Sequence, residues 1–148
     1  MNVALSQLWF WSSYLVVTLL GLSVSLIHIR LLGHTHRVNF RGMVVPVEPY
    51  RFWLPFRPLL TAVIWTVCAM LYFHMSRPVN LWVDTVALCI SWTLLSIVAD
   101  LLLWVVWRHP WSLRPKQMYL YSLPWLLLSY AVSAGAVLLG GLLYSGGG

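Results

Sequence analysis

Few residues in this chain of 148 could carry acid–base or metal chemistry: three acids (Glu48, Asp84 and Asp100), five histidines, and two cysteines, Cys68 and Cys89. Asp100 is the strongest candidate, because it lies within the apolar run from Val79 to Trp107. A carboxylate inside such a run costs about 2.5–3.5 kcal/mol on membrane-insertion scales unless it is paired or neutralised, and it marks a functional site by default. Its distance from the end of the run is roughly 10 Å at a rise of 1.5 Å per residue. Two roles fit it: uptake and release of a proton or cation, or a structural ion pair that fixes helix register. Position makes His28, Arg51 and Arg57 its candidate partners. Asp84, close to Arg77, reads as an interfacial cap or surface pair. Glu48, amid arginines, reads as a loop-ordering ion pair.

The histidines suggest haem or metal, but their positions argue against both. A bis-His haem needs two imidazoles at one depth on facing helices. His28 and His74 fall at opposite ends of their spans, and His34, His36 and His109 fall in the connecting segments. The His34-Thr35-His36 spacing lacks the Cys or acidic companions of a zinc site. Cys68 and Cys89 have no CxxC neighbour and read as small packing residues. The sequence has no phosphate-binding Gly-rich loop, nucleophile elbow or HExxH pattern. Three acids also leave little for two-carboxylate or magnesium-dependent chemistry. No catalytic residue, cofactor or metal is therefore expected.

The elements that hold these residues follow from composition. The chain is 61% hydrophobic and 8% charged, against roughly 45–50% and about 25% for soluble domains. A soluble domain this small could not hide so much apolar surface. Ten Trp and seven Tyr add amphipathic rings of the kind that favour headgroup regions. The reading is an all-α integral membrane protein, one transmembrane domain over 1–148. Its four-helix bundle has spans at about 8–32, 59–75, 79–107 and 123–144, and 145–148 form a flexible Gly tail. Pro124 fits the first turn of the last span, where a missing N–H costs nothing.

Charge sets the expected orientation. Arg30, Arg37, Arg41, Arg51, Arg57, Arg108, Arg114 and Lys116 flank or occupy the two connections on one side, and Arg77 alone marks the other. The positive-inside rule then predicts an N-out, C-out protein. The net charge of +6 is distributed as in a membrane protein and not as on a nucleic-acid-binding face. The long connection between the first two spans ends in Pro49-Tyr50-Arg51-Phe52-Trp53-Leu54-Pro55-Phe56-Arg57-Pro58. Proline at this density predicts an irregular interfacial loop. Arg37, Arg41, Arg51, Arg57 and Trp53 are its expected contacts to anionic lipid headgroups.

Each span also carries a periodic polar or small-residue stripe. The series are Tyr14, Thr18, Gly21, Ser25, His28; Thr61, Trp65, Cys68, Tyr72; Thr85, Cys89, Thr93, Ser96, Asp100; and Ser129, Ser133, Ala136, Gly140. Steps of three and four put each series on one helix face. Small and polar residues, not leucines, draw helices together in lipid. Gly21, Ser25, Ser129, Ser133 and Gly140 are accordingly expected to pack helix against helix.

Three functions follow as expectations. The first is a non-enzymatic accessory or scaffold subunit of a membrane complex, partnered by anionic lipid and by other membrane subunits or further copies of itself. The second is an oligomeric transporter, flippase or channel that uses Asp100, His28 and the polar stripes. The third is a lipid- or quinone-linked membrane enzyme. The expected location is the bacterial cell membrane or the mitochondrial inner membrane.

Overall fold

A computed structural model describes residues 1–32, 37–40, 43–46, 55–107 and 123–146. Four helices dominate it: α1 (Val3–Leu32), α2 (Phe56–Ser76), α3 (Leu81–Asp100, continued by a π-helical turn over Leu101–Val106) and α4 (Leu123–Gly146). Each contains a stretch long and apolar enough to cross a membrane.

Local chemistry explains the helix ends. α1 starts earlier than its apolar run suggested, because Asn2 Oδ1 accepts from the Leu5 N–H at 3.1 Å, an N-cap that satisfies an otherwise orphaned donor. α2 takes in Pro58 within its first turn, where proline is tolerated. It stops at Arg77, whose backbone turns left-handed at φ 44° while its N–H donates to Phe73 O. Pro78 follows, and cannot continue the helix. Asn80 then caps α3 by accepting from the Val83 N–H at 3.2 Å. Asp84, expected near Arg77, instead pairs with the amino group of Met1 at 3.0 Å. Its place in the first turn of α3 also suits the positive end of the helix dipole. At the other terminus Ser145 and Gly146 belong to α4, where a loose tail was expected.

The expectation of an irregular α1–α2 connection needs correction in part. Arg37–Phe40 (β1) and Met43–Pro46 (β2) form an antiparallel pair with Arg37 opposite Pro46 and Phe40 opposite Met43. Val38, Val44 and Val45 favour a pleated backbone, and Pro46 is placed at the strand end, where its missing donor is tolerated. The reading weighted the prolines that follow this hairpin. Arg41, Arg51 and Trp53, with Glu48, lie outside the described residues.

Around the bundle the order is α1, α2, α4, α3, with α2 and α4 in the most extensive contact. α1 and α3 run parallel and meet mainly through large side chains. Phe10, Trp65 and Trp92 form an edge-to-face triangle with centroid separations of 5.8, 5.5 and 6.3 Å. The Trp92 indole N–H donates to Ser6 Oγ at 3.0 Å, so the ring is buried without an orphaned donor. Leucines such as Leu15, Leu19, Leu94, Leu127 and Leu142 cover the outside.

Of the stripe residues, Tyr14, Gly21, Thr61, Trp65, Cys68, Tyr72, Thr85, Ser96, Asp100, Ser129, Ser133, Ala136 and Gly140 are buried, and Thr18, Cys89 and Thr93 are half-buried. Ser25 and His28 belong to the α1 backbone, and their side chains lie outside the described residues. A close approach lies at the end of the bundle that holds both termini. A Cβ added at Gly140 would lie 2.8 Å from Ala69 Cβ and 3.1 Å from Thr66 O, and one at Gly141 would lie 2.6 Å from Thr85 Oγ1. Only glycine lets the backbones come this close. Two interhelical bonds reinforce the contact: Thr66 Oγ1 donates to Ala136 O at 3.2 Å, and Cys89 Sγ to Ala134 O at 3.5 Å.

Candidate functional site

Asp100 is 1% exposed and sits where α3 passes from α-helix into its π-turn. Three other helices deliver donors to it. Tyr14 of α1 donates to Oδ1 at 2.6 Å. Tyr130 of α4 donates to Oδ2 at 2.9 Å. Arg57, in the first turn of α2, reaches Oδ2 with Nη2 at 3.4 Å. The Trp104 indole N–H, one turn beyond Asp100, donates to the Tyr14 hydroxyl at 3.1 Å. One carboxylate therefore ties all four helices together. A carboxylate that only accepts matches this all-donor surround, and bonds to a charged partner are the strong ones.

The π-turn helps set this geometry. Trp107 N–H closes on Leu102 O at 2.8 Å, a five-residue bond that widens the helix by one residue. The turn holds Trp104 against Tyr14 while Asp100 stays in the interior. Such turns recur at functional sites.

Beside the carboxylate is a cavity of about 30 Å³, large enough for about two water molecules. Thr18, Thr61, Ser96, Ser129 and Ser133 face it together with Arg57, and Trp65 closes the side towards the aromatic triangle. Among the described residues, no group of three or more His, Cys, Asp or Glu side chains is placed to hold a metal ion.

Of the partners expected for Asp100, Arg57 is present. The arginine assigned to lipid headgroups thus has its guanidinium on the buried acid, with its side chain 32% exposed. His28 is not at this depth. Tyr14 marks the level of Asp100 on α1, and His28 is fourteen residues further on, roughly 21 Å along the axis. The expectation aligned the ends of the spans, whereas α1 overruns its neighbours. For Arg37 the strand backbone is described and the side chain is not. His74 stacks edge-on to Tyr144, with centroids 5.0 Å apart.

Sequence reasoning missed Tyr130 and Trp104. Trp104 had a signal, since it follows Ser96 and Asp100 at steps of four. Tyr130 lies one residue from Ser129 and on no stripe, and nothing in its spacing pointed inward. The chain matches no protein-family model, no curated protein and no solved structure.

Proposed function

We propose that this chain is a multi-pass membrane protein, oriented N-out and C-out, that works by association as an accessory or scaffold subunit. The observation that supports this reading is the occupation of Asp100 by donors from α1, α2 and α4. The most chemically capable group in the chain is engaged in holding the bundle together, which leaves a rigid apolar exterior for lipid and partner subunits. The basic connections, with Arg37, Arg41 and Arg51 and the ring of Trp53, supply the contact with anionic headgroups in a bacterial cell membrane.

Purification of the tagged chain in mild detergent after crosslinking in the membrane tests the reading. The expected result is a stoichiometric companion, either another subunit or a second copy. A monomer without one overturns it. Orientation is tested separately with single cysteines at either end, which should react with impermeant reagent added outside intact cells. Protection of both ends reverses the orientation.

The cavity beside Asp100 favours a second reading, an oligomeric transporter, flippase or channel. Under that reading Asp100→Asn gives a stable, inserted and inactive protein, because the ionisable group itself does the work. Under the first, Asp100→Asn keeps both fold and phenotype.

A further inference from the structure

We propose that the cavity beside Asp100 is a binding site for a single small monovalent cation of sodium's size, which exchanges with the Arg57 guanidinium. The proposal does not rest on the association reading, since a subunit of either functional class could hold such an ion.

The argument begins with the destination of the hydroxyl protons. Thr61 donates to Arg57 O at 2.9 Å, Ser96 to Thr93 O at 2.9 Å, Ser129 to Trp125 O at 2.8 Å, and Ser133 to Ser129 O at 2.9 Å. Tyr14 and Tyr130 give theirs to Asp100. Each hydroxyl oxygen keeps lone pairs after its proton is committed. The polar part of the lining therefore presents oxygen acceptors, beside the apolar Val17 and the Trp65 ring, and Arg57 is the cationic donor on its wall. A carboxylate offers roughly four lone-pair positions, of which three are taken by the contacts above. Oxygens of this kind favour a hard cation over an anion, because carboxylate and neutral oxygens are hard-cation ligands. The volume of about 30 Å³ admits such an ion with one or two waters, since each water-sized occupant needs about 10–15 Å³.

Charge selects a monovalent ion. Asp100 and Arg57 balance one another, so a cation that enters while Arg57 stays leaves a buried positive charge uncompensated. A monovalent ion that replaces the guanidinium restores the balance, and a divalent ion does not. Arg57 suits the exchange. Its contact with the carboxylate is the longest of the three, and its partly exposed side chain has an outlet at the rim of the bundle.

The test is thermal unfolding of the full chain in mild detergent, in sodium chloride against N-methyl-D-glucamine chloride at constant ionic strength and pH. The wild-type Tm should rise saturably with sodium, as for a ligand that binds only the folded state. Arg57→Gln removes the competing cation and should lower the half-saturating sodium concentration about tenfold. Ser96→Ala removes one oxygen ligand and should raise that concentration several-fold. Identical Tm values in the two salts for the wild-type chain overturn the proposal. A sodium response that neither variant moves places the ion elsewhere and overturns it equally. Asp100→Asn should abolish the response, and if that variant fails to fold, the other two still decide.

Discussion

At one end of the bundle α2 and α4 meet at Gly140, where a single added carbon would lie 2.8 Å from Ala69 Cβ. At the other end Tyr14, Arg57 and Tyr130 reach across to Asp100 around a cavity of about 30 Å³. The first contact holds chiefly by shape, with two interhelical bonds to α4 carbonyls beside it, so it requires close backbones and tolerates no added volume. The second holds by directed bonds from long side chains, which span a gap and keep helices together without closing the space between them. Lipid supplies no hydrophobic drive between helices, so a small membrane protein must use one device or the other. This chain uses both, and the cavity beside Asp100 lies at the polar end.

Substitutions can break or sharpen this contrast. The largest effect is expected for Gly140→Val, which forces α2 and α4 apart and should cost about 3 kcal/mol or more in detergent-solubilised stability. A loss below that of a core leucine truncation would show that the close contact is not what holds this end. Next comes Asp100→Ala, which removes the acceptor shared by two phenols and a guanidinium. Breaking a buried pair costs about 3–5 kcal/mol, and the partial exposure of Arg57 brings the expectation down to about 2 kcal/mol. Denaturant melts of this variant beside Asp100→Asn should show the amide recovering most of the loss. Tyr130→Phe removes one donor and should cost about 1 kcal/mol, readable as a small fall in Tm. The smallest effect belongs to Gly135→Ala. A Cβ there meets nothing within 4 Å, so helix propensity dominates and the change should be neutral or raise the Tm slightly. A marked loss at Gly135 would show a neighbour on that face and weaken the contrast between the two glycine sites.

Much of the helical architecture was legible because its signals are local. Apolar run length gave four spans, and steps of three and four singled out Thr61, Ser133 and Gly140, which are buried in the structure. Asp100 stood out because a charge in an apolar run is conspicuous. What could not be read depends on relative depth. Pairing His28 with Asp100 assumed that the spans end level, whereas the Asn2 cap and the length of α1 put Tyr14 there instead. Tyr130 was hidden for a related reason: a tyrosine at the edge of a stripe turns inward only when a neighbouring helix presents something to bond. The hairpin over Arg37–Pro46 was obscured by the prolines after it, which carry a stronger local signal than three valines.

The π-turn after Asp100 has a further consequence. Its five-residue closure at Trp107 uses one residue more than an α-helix needs, so Trp107 is set about 100° out of phase with its place on an uninterrupted helix. If the surplus residue slid along the ladder, each five-residue closure would be traded for another, the number of backbone bonds would be conserved, and only angle would change. In such a shift one end of α3 would turn against the other, next to the residue that binds all four helices.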